Sequence, residues 1–267
     1  MRRFLLLLAV SLGGLLLFAF VESRADPVVR RATIALPDWP KGAAPIRVAL
    51  LSDLHLGNAS TDVARLTRIA DQVSATRPDL ILIAGDLVAG AQVESVGELA
   101  LPLAHLHARL GVVAVPGNHD WGVGIDLVRA AMRRAHVTLL QNAAVARGPL
   151  ALGGLDDEAT AHARPKRVLA ALARVPGARV VVGHTPDDAP AFARGLVLAG
   201  HTHCGQVVLP LYGPPIAMSR YGERYRCGLV REGARTVVIG AGTGTSNLPL
   251  RLGAPPDWWL LTLGPRR

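Results

Sequence analysis

Aromatic side chains make up only 4% of this 267-residue chain, and charged residues only 18%. The first scarcity argues against a surface that holds nucleic acid by stacking bases on interleaved rings. The second, beside a hydrophobic content of 50%, excludes a disordered or fibrous protein. Cysteine is nearly absent. Cys204 and Cys227 are too few for a disulfide framework, and neither sits in a CxxC or zinc-finger spacing. Both read as small buried space-fillers. Lys41 and Lys166 are the only lysines among 29 basic residues, so the formal charge of +9 is carried by arginine, whose planar fork suits phosphate. That balance admits nucleic acid, an anionic membrane or an acidic metabolite as partner and chooses none of them. There is no internal repeat or low-complexity stretch, and the length fits one α/β domain.

What is present begins with a targeting element. Met1-Arg2-Arg3 precedes an uncharged run of 18 residues, Phe4–Val21, which no polar face interrupts. That is long for a signal-peptide core and close to the ~20 residues of a membrane span. An uncleaved anchor is therefore favoured over a cleaved signal, although Ser23-Arg24-Ala25 reads as a small-x-small cleavage site before Asp26. Arg2 and Arg3 favour the cytoplasm for the amino end, against competition from Arg24, Arg30 and Arg31. The expectation is an anchor or signal over residues 1–25 in a bacterial inner membrane and a lead-in with one edge strand over 26–44. Residues 45–267 would then form one folded body on the periplasmic side. Beyond residue 25 the charge is still +7, which suits an anionic membrane surface as neighbour.

After Pro45, apolar strands alternate with amphipathic helices. Strands are expected at 47–52, 80–84, 112–115, 137–140, 178–182, 196–199, 207–209, 236–239 and 258–263, with short antiparallel strands over 143–153. Helices are expected at 61–76, 95–110, 124–135 and 167–173. Early alternation followed by strand-rich sequence predicts an α/β fold of two packed mixed β-sheets flanked by helices.

Polar blocks follow the strands. Asp53-Leu54-His55 comes after the first, Gly85-Asp86 after the second, and Gly117-Asn118-His119-Asp120 after the third. Gly183-His184 follows the strand ending at Val182, and Gly200-His201-Thr202-His203 the segment ending at Ala199. Ligands in open α/β sheets gather beyond the carboxyl ends of strands, so the segments can converge on one site. Singly, Asp-x-His and His-x-His are common surface or capping patterns. In series, each after an apolar strand, they point to a metal centre. Other polar residues have plainer readings. His105 and His107 point to different faces of a helix, His136 and His162 read as surface, and Asp156-Asp157-Glu158 reads as an acidic turn. Asp120 can also be read as the N-cap of a helix opening near Trp121.

In this order the five blocks resemble the calcineurin-like metallophosphoesterase superfamily over residues 45–263. Gly200-His-Thr-His-Cys-Gly-Gln206, Gly242-Thr-Gly-Thr-Ser-Asn-Leu-Pro-Leu-Arg251 and Pro255-Pro256 are similar to its membrane-associated bacterial phosphodiesterases. Cys204 departs from that subgroup's usual Gly, and Ala89 stands where a second Asp is common. The resemblance implies a four-layer α-β-β-α sandwich and two divalent metal ions, Mn, Fe or Zn, bridged by Asp86. One ion would also hold Asp53, His55 and His203, the other Asn118, His184 and His201. His119 would be the catalytic histidine that binds no metal, oriented by Asp120, with in-line attack by a metal-bridging hydroxide. Tyr225, Arg226 and Arg251 are candidates to approach the substrate phosphate, against a plain reading as packing residues. The expected activity is a phosphodiesterase acting on a membrane lipid or cell-envelope phosphoester. A nuclease or nucleotide phosphoesterase of the same fold is the first rival, and a non-catalytic metal-binding scaffold the second.

Overall fold

Leu80-Ile-Leu-Ile-Ala84 is buried at every position, which a strand achieves only when both faces of its sheet are covered. The computed structural model describes residues 1–90, 93–216 and 218–266. Its elements begin with α1 (Arg2–Arg24), β1 (Val28–Leu36), β2 (Ile46–Leu51), α2 (Val63–Ala75) and β3 (Leu80–Ala84). Next come α3 (Val93–Glu98), α4 (Ala100–Leu103), β4 (Val112–Val115), α5 (Asn118–Val123), α6 (Ile125–Arg134) and β5 (Thr138–Leu139). The second half holds β6 (Ala143–Arg147), β7 (Leu150–Gly154), α7 (Pro165–Leu172), β8 (Ala178–Val182) and β9 (Gly195–Ala199). The chain closes with β10 (Gly228–Glu232), β11 (Arg235–Ile239) and β12 (Asp257–Pro265).

One six-stranded sheet has the order β1-β12-β2-β3-β4-β5 and the other β10-β11-β9-β8-β7-β6. β2 to β5 run parallel, as do β7, β8, β9 and β11. The period of two sorts their side chains. Leu80, Leu82 and Ala84 join Val180, Val182, Leu196 and Leu198 between the sheets, whereas Ile81 and Ile83 pack with Leu66, Ile69 and Val73 of α2. On the far side, Val181 and Val197 pack with Val168 and Leu172 of α7. The result is the expected sandwich of two mixed sheets between helices.

Three local expectations need correcting. The helix over 95–110 breaks into α3 and α4, because Pro102 within α4 has no N–H to continue a helical ladder. Residues 207–209 form only isolated bridges, Val207 with Leu252 and Leu209 with Gly213. Strand β10 was not expected, since its half-exposed edge carries Arg231 and Glu232 rather than an apolar run. The lead-in contributes more than a connector: β1 pairs with β12 along its length, Val28 opposite Asp257, and so forms the edge of the first sheet.

Helix α1 is long and apolar enough to cross a membrane, with a mean hydropathy of 2.7. Its apolar side chains are exposed from Phe4 to Phe18, but its last turns are docked. Ala19 and Ser23 are buried. The Ser23 hydroxyl donates to the Pro249 carbonyl at 2.9 Å, and the Arg251 N–H to the Ala19 carbonyl at 2.9 Å. Arg24 pairs with Asp62, the residue that caps α2 by accepting from the Arg65 N–H.

Arg65 lies beside the apolar stripe Leu66, Ile69, Ala70 and Val73 and is itself buried. Its guanidinium donates to the carbonyls of Arg24 at 3.2 Å, Ala25 at 2.8 Å and Thr243 at 2.8 Å. Burial lowers its pKa to about 10. One side chain thus ties the end of α1 to α2 and to the loop after β11. Arg65→Met keeps the aliphatic bulk and leaves those carbonyls without their donor. It should lower the stability of the full chain by about 3 kcal/mol, read from denaturant unfolding.

Candidate metal centre

The expected ligands leave the carboxyl ends of five strands, β2, β3 and β4 of one sheet and β8 and β9 of the other. At those ends the backbone bends sharply. Asp53, His55, Asp86, His201 and His203 all have φ between 46° and 68°, the left-handed region that non-glycine residues avoid. Such conformations cost energy and persist where the surrounding structure over-determines them. Here Asp53 N–H donates to Gly85 O at 3.0 Å and His55 N–H to Asp86 O at 3.1 Å, stitching β2's exit to β3's.

The side chains form two groups that share Asp86. Asp53, His55 and His203 make the first: His55 Nε2 lies 3.2 Å from His203 Nε2, which is 3.4 Å from Asp53 Oδ1. His184, Asn118 and His201 make the second, with His184 Nε2 at 3.2 Å from Asn118 Oδ1 and 3.1 Å from His201 Nδ1. Asp86 Oδ2 stands between them, 3.2 Å from His184 Nε2 and 3.6 Å from His55 Nε2. Its Oδ1 accepts the His119 N–H at 2.9 Å.

The chemistry of this donor set fits two cations. His184 Nδ1 faces the Ala84 carbonyl at 2.8 Å, so a proton there leaves the Nε2 lone pair aimed into the centre. His55 and His203 turn their Nε2 atoms on each other. Burial holds the His55 pKa near 3 and that of His203 well below its usual value, so both rings are neutral at neutral pH. Two imidazole nitrogens held 3.2 Å apart in a buried site, with carboxylates beside them, suit a shared cation. Burial also raises Asp53 to about 7 and lowers His201 to about 4. Burial opposes charge on Asp86 and His184 too, but the pair overcomes it: His184 holds the Asp86 carboxyl low, and Asp86 raises His184 to about 10.

His119 is half-buried, with its ring 4.8 Å from that of His55 and edge-on to it. Its Nδ1 accepts the Gly90 N–H at 2.7 Å. Asp120 does not make the expected bond to this imidazole. It is buried, accepts from the N–H groups of Gly117 at 2.8 Å and Leu87 at 2.9 Å, and so caps α5 and ties it to the Asp86 loop. Burial raises its pKa to about 7.

Two of the three residues named for phosphate contact, Tyr225 and Arg251, need correction as well. Tyr225 is fully buried, its hydroxyl donating to Glu232 at 2.6 Å. Arg251 is equally buried. It donates to the carbonyls of Ala241, Gly244 and Ala254 at 2.6–2.8 Å, beneath the site. Arg226 donates to Glu223 at 2.7 Å and to the Cys204 carbonyl at 3.0 Å. Tyr225 and Arg251 hold the structure of the loops, whereas the Arg226 side chain is only partly buried. The cysteines are not free space-fillers: Cys204 and Cys227 form a disulfide that ties the residue after His203 to the segment before β10. Two isolated cysteines carry no pairing signal in sequence, which is why the bond was missed. The Asp156-Asp157-Glu158 turn is as expected, with Asp157 accepting from the Thr160 N–H at 2.7 Å.

A family model described as calcineurin-like phosphoesterase matches residues 46–205. The phosphodiesterase YaeI of Escherichia coli is 32% identical over 234 residues, covering 83% of each chain. A Danio rerio transmembrane protein with metallophosphoesterase domain is 28% identical and matches 89% of this chain, which spans 57% of that longer relative. A putative 5'-nucleotidase from Staphylococcus aureus, crystallised with alpha-ketoglutarate, shares the fold at a TM-score of 0.50 with 13% identity. It covers 84% of this chain, and the match is 55% of its own.

Without cations, Asp53 and His184 hold protons more tightly than in an unfolded chain. A raised carboxylate and a raised imidazole both make the empty site less stable as pH rises, Asp53 through about 7 and His184 through about 10. Cation binding must displace those protons. At pH 7 it should release about one to two protons per chain, measured by calorimetry in buffers of different ionisation enthalpy, and affinity should climb from pH 6 to pH 8. Gly85→Ala should weaken the same binding. A Cβ there lies 2.6 Å from His184 Nδ1 and 2.9 Å from the Gly117 nitrogen, at a φ of +79°.

Proposed function

Because the chain belongs to the calcineurin-like phosphoesterase family, and is a metal-dependent phosphoester hydrolase, we propose that it works with two divalent cations as a phosphodiesterase on a lipid-linked or cell-envelope phosphoester. The observation that carries this reading is the pair of donor groups sharing Asp86 Oδ2. Carboxylate, imidazole and amide donors without thiolate suit Mn, Fe or Zn. Bound there, two cations would neutralise phosphoryl oxygens and acidify a water for in-line displacement.

The remaining chemistry belongs to the chain. With Nδ1 engaged as acceptor by the Gly90 N–H, the His119 imidazole keeps its proton on Nε2. It can donate that proton to the leaving oxygen or hydrogen-bond a phosphoryl oxygen. Asp120 serves this step indirectly by fixing α5, whose second residue is His119. Asn118, the first residue of α5, is placed by the same cap.

Two observations support an uncleaved anchor with the body outside the cytoplasm. Residues 19–25 are used as part of the fold, through Ser23, the Ala19 carbonyl and the carbonyls accepting from Arg65, which a discarded leader has no reason to be. The Cys204–Cys227 disulfide belongs to an oxidising compartment. The name of the Danio rerio relative is consistent with a membrane setting.

The full chain, purified in detergent without chelator, should carry close to two equivalents of Mn, Fe or Zn and hydrolyse bis(4-nitrophenyl) phosphate. Asp86→Ala should lose both metal and turnover. His119→Ala should keep the metal and lose about 10²–10⁴-fold in kcat. Metal-loaded protein that cuts neither this diester nor 4-nitrophenyl phosphate would overturn the reading. For the compartment, alkylation in intact cells should spare both cysteines until reductant is added. Free thiols in cells trapped that way would place the body in the cytoplasm.

A further inference from the structure

The loops after β9 and β11 build a groove that the catalytic chemistry does not use. It has a volume of about 360 Å³, within the roughly 300–1,000 Å³ of small-molecule sites. His203 is among its lining residues, and Val207, Pro215, Ile216, Met218 and Leu248 supply apolar walls. Gln206 spans the two walls, donating to the Leu248 carbonyl at 2.9 Å and accepting the Ser246 N–H at 2.8 Å. The groove is therefore a framed feature of the fold.

Two of its lining residues identify the occupant. His203 also belongs to the metal centre, with Nε2 at 3.4 Å from Asp53. Leu248 precedes Pro249, whose carbonyl holds Ser23 of α1. The lining thus connects the metal centre with the end of the helix that is apolar enough to enter a bilayer. Ile216, Met218 and Leu248 are exposed there, and Leu211 and Tyr212, earlier in the same loop, are exposed as well. Apolar side chains gathered between a membrane helix and a reaction centre are costly in water and suit hydrocarbon.

We propose that this groove holds an acyl or alkyl chain of the phosphoester substrate, which enters from the leaflet beside α1 and places its phosphate at the metal centre. The inference rests on the phosphoesterase reading above and deepens it by assigning the substrate a hydrocarbon chain and that chain a path.

The test uses the full chain in lipid nanodiscs, loaded with Mn, and water-soluble 4-nitrophenyl alkyl phosphates from ethyl to octyl, which share one leaving group. In the native protein kcat/KM should rise roughly tenfold or more from ethyl to octyl, since each methylene withdrawn from water is worth up to about fourfold. Ile216→Gln and Leu248→Gln, both at exposed positions, should bring the octyl-to-ethyl ratio toward one. The ratio is the readout, so a change common to both esters cancels, and metal content confirms that each variant is folded. Turnover with a flat chain-length profile in the native protein overturns the chain subsite and leaves the phosphodiesterase reading standing. A steep profile that both variants retain also overturns it, by placing the chain elsewhere. A flat profile together with a change from dimer to monomer in Ile216→Gln would assign the groove to a contact between copies instead. No turnover of any ester would remove the functional reading and this inference with it.

Discussion

Asp53, Asp86 and the imidazoles of His55, His184, His201 and His203 share one buried volume, and protons alone satisfy it poorly. Ring nitrogens and carboxylate oxygens crowd within 3.1–3.4 Å of one another. Bringing these groups together requires left-handed backbone at five of the residues that supply them, at a cost of roughly 1–3 kcal/mol each. Nothing local supplies that energy. It comes from two sheets packed face to face, in which β2, β3, β4, β8 and β9 bring their carboxyl ends to the site. The sandwich is best understood as the frame that forces repelling donors into one place, where positive charge then becomes favourable.

Much of the surrounding polar structure serves that frame. Asp120 and Arg251 look like chemistry in a linear sequence, one beside a histidine and the other in a glycine-rich tail. In the fold both are buried and bond mainly to backbone, with Arg251 also 3.4 Å from His203 Nδ1. A buried side chain held by main-chain partners cannot reach a substrate, but it can lock the loops from which the candidate donors project. Arg65 plays the same part further out, where α1, α2 and the loop after β11 meet.

The features readable from sequence are those with a period or a position. Alternating apolar runs locate β2, β3, β4, β8 and β9, and the polar block after each locates a donor of the candidate centre, so the sandwich and that centre emerge together. Features that depend on pairing across distance were not readable. Neither the Cys204–Cys227 bond nor the inward turn of Tyr225 leaves a local trace, because each is decided by what lies opposite in space. The edge strand β10, with charge where a core strand would carry apolar residues, was hidden for a related reason. The broken helix at Pro102 was the exception: its signal was present and was outweighed by the apolar periodicity around it.

The junction between α1 and the body has no slack. Only three residues separate α1 from β1, and the last turns of the helix are bonded to Pro249, Arg251, Asp62 and Arg65. A flexible tether lets an enzyme sample a volume that widens with linker length; with α1 in a bilayer, this junction would give it one height and one attitude. For α1 in a bilayer, any change of thickness that tilts the helix would swing the reaction centre through the same angle. The lipid surroundings would then set how the catalytic mouth meets the headgroup layer.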